Sequence, residues 1–381
     1  MSENPHPVNR RTVLQAAGGA LATVGTTGLA AAEPGDAVEV NVGFANASGR
    51  SAALDAASET VREFAFDAVT IRTQKRAVSG LRQNPNVRYV EENGEMHALA
   101  QTLPWGIDRV DADVAHDGGE TGAGADIAIL DTGIDSDHPD LQANLGAGKA
   151  FVECKGNPNI CREPWDDDND HGTHCAGTAD AVDNSEGVVG VSTEATLHAV
   201  KVLDKRGSGS FSDIAAGIEY VADQGWDVAS LSLGASSGSQ TVKDAGQYAY
   251  DEGVLLVAAA GNDGPCSDCV GYPAAYSEFI AVSATSEDDS LANFSSTGPE
   301  VEIAAPGEDV YSTIPGGYDT FSGTSMACPH VSGAGGQLMA NGYTNVEARQ
   351  RLTDTAEDIG LADTEQGSGL LDVAAALGLS N

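Results

Sequence analysis

Three short segments, far apart in the chain, carry an acid, an imidazole and a hydroxyl that together can make and break a covalent bond. Asp131 closes the apolar run Ile127-Ala128-Ile129-Leu130 and is followed by Thr132-Gly133. His171 precedes Gly172-Thr173-His174-Cys175-Ala176-Gly177, and Ser325 lies within Ser322-Gly323-Thr324-Ser325-Met326-Ala327-Cys328-Pro329-His330. A neutral serine hydroxyl is a weak nucleophile and needs a base, a task that the intrinsic pKa of imidazole suits near neutrality. A carboxylate accepting the other imidazole N–H fixes the tautomer and stabilises the imidazolium, which returns its proton to the leaving group. A fourth group is Asn262, at the end of the apolar run that starts at Leu256. Taken singly, each has a plainer reading: a strand-end Asp, a core histidine, a helix-capping serine, an Asn turn.

These groups need elements to hold them. The run from Asp126 to Asp131 reads as a buried strand of a parallel sheet covered on both faces, and sites form at the carboxyl ends of such strands. Leu197 to Leu203 and Val228 to Leu231 read as further strands. The small residues after His171 begin a helix that must pack tightly. Ser325 falls at a helix N-terminus, where Pro329 is expected to fit only within the first turn. Ahead of these, Val38 to Phe44, Val69 to Thr73 and Val87 to Glu92 read as strands and Gln74 to Gln83 as a helix, a small α+β unit of its own.

Composition limits the functions available. Among 381 residues, 19 Lys+Arg face 57 Asp+Glu, a net charge of −38, which excludes a protein that tracks nucleic-acid phosphates. The acid is uneven: residues 1–99 hold 9 basic and 11 acidic residues, and residues 100–381 hold 10 and 46, so a boundary lies near residue 100. At 41% hydrophobic residues the chain can still bury a core. Arg10-Arg11 ahead of the weakly apolar run Ala16 to Ala32 reads as a twin-arginine secretory signal over residues 1–32, and no later run is long enough for a stable membrane anchor. Six cysteines in an exported chain invite pairing, with Cys154/Cys161 and Cys266/Cys269 as candidate loop disulfides and Cys175 and Cys328 as buried thiols. A metal site at Cys266-x-x-Cys269 lacks a second ligand pair.

The order Asp, His, Ser with these neighbours resembles the subtilisin-like serine protease (subtilase) family across residues 36–381. The acidity and the paired arginine most resemble the halolysin-type secreted proteases of haloarchaea. The resemblance implies an α/β fold: a three-layer catalytic domain with a central, mostly parallel sheet over residues 100–381, preceded by a small α+β, ferredoxin-like prodomain over 33–99. It implies a secreted serine endopeptidase that works through an acyl-enzyme, with Asp131, His171 and Ser325 as triad, Asn262 as oxyanion donor and Thr324 as a further hydroxyl donor. Gly207-Ser208-Gly209 and Ser232-Leu233-Gly234 match the two segments that sandwich an extended substrate, and Gly271 matches the floor of a pocket for a large apolar side chain. Lys205-Arg206 near the rim would favour acidic residues further along the substrate.

The same resemblance implies structural calcium (Ca2+), with side-chain oxygens from Gln101, Asp140 and Asn184 and carbonyls from Val182, Glu186 and Val188. Asp166 to Asp170 is either a second calcium loop or a solvated acidic run. The prodomain is expected to inhibit and chaperone its own protease, with Met96 to Leu99 as first substrate and cleavage after Leu99. Expected partners are polypeptide substrates and the chain's own propeptide, with no nucleic acid and a monomeric state. Two rivals fit less well. An exported calcium-binding or surface-layer module should lack a triad residue, and a lipase-like hydrolase wants Gly-x-Ser-x-Gly, where Ala327 takes the second glycine's place.

Overall fold

The computed structural model describes residues 37–93, 101–156 and 160–379. The expected signal (1–32) and the processing segment Met96 to Leu99 lie outside them. The chain divides into two units at His97/Ala98, beside the boundary that the charge count suggests.

In the first unit the order is β1 (Ala37–Phe44), α1 (Ala47–Ala56), β2 (Ala57–Glu63), β3 (Ala68–Gln74), α2 (Lys75–Gln83) and β4 (Val87–Glu92). The strands form an antiparallel sheet in the order β2-β3-β1-β4 around Val40, Val42, Val69, Ile71, Leu81 and Val90. The element order is therefore β-α-β-β-α-β. Sequence reasoning passed over α1 and β2 for physical reasons. All but the first residue of β2 are exposed, so it shows no alternation, and α1 is a low-contrast Ala/Ser helix started by Asn46, whose side chain accepts from Ser48 and Gly49 N–H.

In the second unit seven parallel strands run in the order β11-β10-β9-β8-β5-β7-β6. They are β5 (Asp126–Asp131), β6 (Lys149–Ala150), β7 (Thr196–Lys201), β8 (Val228–Leu231), β9 (Leu255–Ala259), β10 (Phe279–Thr285) and β11 (Val301–Pro306). Their unbroken apolar runs follow from two cores. Ile127, Ile129, Leu197, Val228 and Val257 face one side, and Ala128, Leu130, Val200, Ala229 and Leu256 face the other. The first core is covered by α3 (His171–Asp180) and α6 (Thr324–Ala340), the second by α4 (Phe211–Gln224) and α5 (Gln240–Asp251). A hairpin, β12 (Val310–Ile314) with β13 (Gly317–Phe321), leads into α6. Cys154–Cys161 and Cys266–Cys269 are disulfides, and Cys175 and Cys328 are buried thiols.

Two local expectations need correction. Pro329 is the sixth residue of α6, beyond its first turn, and the helix continues to Ala340. The carbonyl that a residue-329 N–H would have met is satisfied from outside the helix, as described below. The acidic run is not a solvated face: Asp166 and Asp167 are each 1% exposed. Asp166 accepts from the N–H groups of Ser136, Arg162 and Glu163. Asp167 accepts from both Thr132 and Thr173 hydroxyls and from the N–H groups of Asn169, Asp170 and Thr173. Asp168 pairs at 2.7 Å with Lys201, which is fully buried and also donates to the Thr132 and Leu203 carbonyls. These carboxylates are internal fasteners for the loop that enters α3. Asp167→Ala would strand five donors, and we expect a loss of roughly 3–5 kcal/mol, read as a fall in melting temperature of the same size with and without calcium. Dependence of that fall on calcium would make the run a metal loop instead.

Candidate active site

The carboxyl end of β5 delivers Asp131 fully buried. Its Oδ1 accepts from Thr132 N–H at 2.7 Å and stands 2.8 Å from His171 Nδ1. His171 is the first residue of α3, and Asp170 before it holds φ 98°, a left-handed value that non-glycine residues adopt only when neighbours enforce it. Here the enforcement is a hydrogen bond from Asp170 N–H to Asp167 and one from Gly172 N–H to Thr132 Oγ1 at 2.9 Å. Gly172 cannot be larger, because a Cβ there would lie 2.2 Å from Gly133 O. Ser325, second in α6, directs its hydroxyl to Ser232 O at 3.3 Å. Among the described residues Ser325 makes no hydrogen bond to His171, so proton transfer requires the hydroxyl to leave that carbonyl, a looseness common before substrate binds.

Burial works against a charged His171, but the Asp131 carboxylate and, after it, Cys175 together offset it, and the imidazole pKa is raised well above its ordinary 6.5. Cys175 lies 4.0 Å from the same Nδ1, and burial pushes its own thiol pKa up. Two other histidines nearby, His174 and His330, are pushed down to about 4 by burial. Both are neutral packing groups near neutral pH.

Asn262 follows Gly261, which takes φ 116° to turn the chain out of β9. Its Oδ1 accepts from both Thr324 N–H (2.9 Å) and Thr324 Oγ1 (3.0 Å), which leaves Nδ2 without a protein acceptor among the described residues. The Thr324 hydroxyl therefore orients Asn262 in this arrangement, in place of the direct donation expected of it. Ser325 N–H, in the first turn of α6, has no intrahelical partner.

Beside His171 opens a cleft of about 400 Å³ lined by Gly207, Ser208, Gly209, Ser232, Leu233 and Gly234. Gly271 is not in its lining; it bonds to Ala260 O one residue behind Tyr272, which is. Gly207, at φ 71°, also closes a turn onto Asp204 O. Sequence reasoning missed most of the apolar wall: Leu203, Phe211, Ile214, Val242, Tyr272 and Tyr276. The one signal available was Phe211 and Ile214, spaced three apart at the start of α4. Arg206 lines the cleft while paired with Asp204, and Lys205 lies on the opposite side of the loop.

The six expected calcium ligands are joined by direct contacts. The Gln101 amide lies 2.6 Å from Val182 O and 2.9 Å from Val188 O, and the Asn184 amide lies 3.0 Å from Asp140 Oδ1. Glu186 joins through its N–H on Asn184 Oδ1. Gly187 permits this closeness, since a Cβ there would lie 1.9 Å from Asp140 Oδ2. Turning the two amides over would replace their NH2 groups with oxygens, so the set fits a hard cation with oxygen ligands.

The His171 shift carries a consequence for pH. The base must be neutral, and a raised pKa keeps it protonated to higher pH, so kcat/KM should fall on the acid side with an apparent pKa above 6.5. A pH–rate profile checks this, and an acid limb at or below 6.5 would contradict it.

Comparison with known proteins agrees with this geometry. Residues 122–369 match the subtilase family. Subtilisin amylosacchariticus of Bacillus subtilis subsp. amylosacchariticus is 43% identical over 315 residues, spanning 81% of this chain and 80% of that protein. An alkaline protease of Alkalihalobacillus alcalophilus is 44% identical over 322 residues (84% and 81%), and alkaline elastase YaB of Bacillus sp. (strain YaB) is 43% identical over 330 residues (86% and 84%). The chain belongs to the subtilase family and is a serine endopeptidase.

Proposed function

We propose that this endopeptidase is a secreted, self-processing, salt-adapted enzyme whose nucleophile is Ser325. The observation that carries the catalytic assignment is the buried Asp131 bonded to His171 Nδ1, which directs the other ring nitrogen to a proton acceptor's role. His171 takes the Ser325 proton as Oγ attacks the scissile carbonyl, and Asp131 stabilises the imidazolium. Asn262 Nδ2 and Ser325 N–H receive the oxyanion, the former a donor type whose loss in a subtilisin costs roughly 100- to 1,000-fold in turnover. His171 then protonates the leaving amine, and water repeats the sequence on the acyl-enzyme. The apolar wall of Leu203, Ile214, Leu233 and Tyr272 supports a preference for large apolar side chains before the scissile bond.

Residues 33–99 are the propeptide in this reading, and residues 1–32 a twin-arginine signal for export to the outside of the cell. Stoichiometric labelling by a fluorophosphonate tests the nucleophile: Ser325→Ala should abolish labelling and leave the protein at its propeptide-containing length. Efficient processing of that variant would overturn self-cleavage.

Calcium at Gln101, Asp140, Val182, Asn184, Glu186 and Val188 would tie the segment before residue 105 to the loop after α3. The charge concentrated after residue 100 supports a surface kept soluble at high ionic strength, where self-repulsion is screened. Melting temperature should fall both on chelation and on dialysis into low salt. An unchanged melting temperature under either treatment would remove that part of the proposal.

A further inference from the structure

Pro329 creates a problem at the residue that matters most. A helical residue normally donates its N–H to the carbonyl four residues earlier, and proline has none to give. Four residues before Pro329 is Ser325, so the proposed nucleophile sits in a buried helix whose own ladder leaves its carbonyl unmet. Such an orphan is costly when buried. Ser232 meets it: its hydroxyl donates to Ser325 O at 2.7 Å from the segment that follows β8. The Cys175 thiol adds a longer contact at 3.4 Å. Ser232 also presents its own main-chain carbonyl to the Ser325 hydroxyl at 3.3 Å, so one residue grips the nucleophile at both ends. Ser232 is 4% exposed, and its hydroxyl also borders the Cys175 and Cys328 thiols.

We infer that the Ser232 side chain is a positioning residue for Ser325, required because Pro329 withdraws the helix's own hold on the Ser325 carbonyl. The main-chain contacts expected of Ser232 toward substrate do not need its hydroxyl. The hydroxyl sets where the first turn of α6 sits relative to β8, and with it the direction from which Oγ approaches His171 and the oxyanion donors. This rests on Ser325 being the nucleophile.

The test is a double-mutant cycle of Ser232→Ala and Pro329→Ala in the full chain, with active sites counted by fluorophosphonate so that kcat is per folded site. Ser232→Ala alone should lower kcat by about tenfold and leave KM within about twofold, because a carbonyl left with only the longer Cys175 contact disturbs the nucleophile more than the cleft. In Pro329→Ala the new N–H can reach Ser325 O, so adding Ser232→Ala there should cost less than about twofold. Equal loss in both backgrounds, or a Ser232→Ala enzyme with unchanged kcat, would overturn the proposal. If Pro329→Ala yields no folded protein, Ser232→Thr replaces it: the retained hydroxyl should restore kcat to within about threefold, and a kcat as low as that of Ser232→Ala would overturn it. Ser325→Ala separates the two readings. Activity in that variant would refute Ser325 as nucleophile, whereas its inactivity together with an additive cycle would refute only the role of Ser232.

Discussion

The contact between Gly133 and Gly172 is the constraint on which the site depends. The turn after β5 and the first turn of α3 touch backbone to backbone, with no room for a Cβ on Gly172 and none on Gly133, where one would meet Trp165 O at 2.4 Å. That closeness puts Asp131 and His171 within a hydrogen bond although 40 residues separate them. The rest of the region reinforces the same approach. Thr132 receives Gly172 N–H, Asp167 binds Thr132 and Thr173 together, and Lys201 holds the Thr132 carbonyl against Asp168. A pair of carboxylates and a buried ammonium thus act as rivets under the Asp131–His171 pair, each stable only because its polar atoms are met.

This changes the meaning of the acidic composition. Asp131, Asp140, Asp166, Asp167 and Asp180 are all buried, so part of the negative charge after residue 100 is internal architecture and not surface. Asp180 illustrates the trade: burial raises its pKa well above the ordinary carboxyl range, while Ser192, Ala195 and Asn144 donate to it. The exposed remainder is what can respond to salt.

A second tension lies in α6. Its small residues allow a helix to run through the middle of the domain, yet Pro329 removes a hydrogen bond at the proposed nucleophile. The missing bond is replaced by a side chain from a neighbouring strand end, which couples the helix to the sheet more firmly than its own ladder would. The same economy appears at Asn262, whose acceptor side is consumed by Thr324 so that its donor side stays free.

Much of this was legible in the chain. The parallel sheet followed from unbroken apolar runs, the proposed triad from the order and neighbours of Asp131, His171 and Ser325, and the α+β unit from three alternating strands. β2 was invisible because an exposed edge strand has no inward face to mark it. The solvated reading of the acidic run and the placement of Pro329 failed for one shared reason. A sequence states which donors and acceptors a segment brings and which it lacks, whereas the partners come from strand ends and loops tens of residues away. The residues by themselves determined the chemistry available, and only tertiary structure decided which polar groups are met, because hydrogen bonding across the fold has no period that a linear reading can detect.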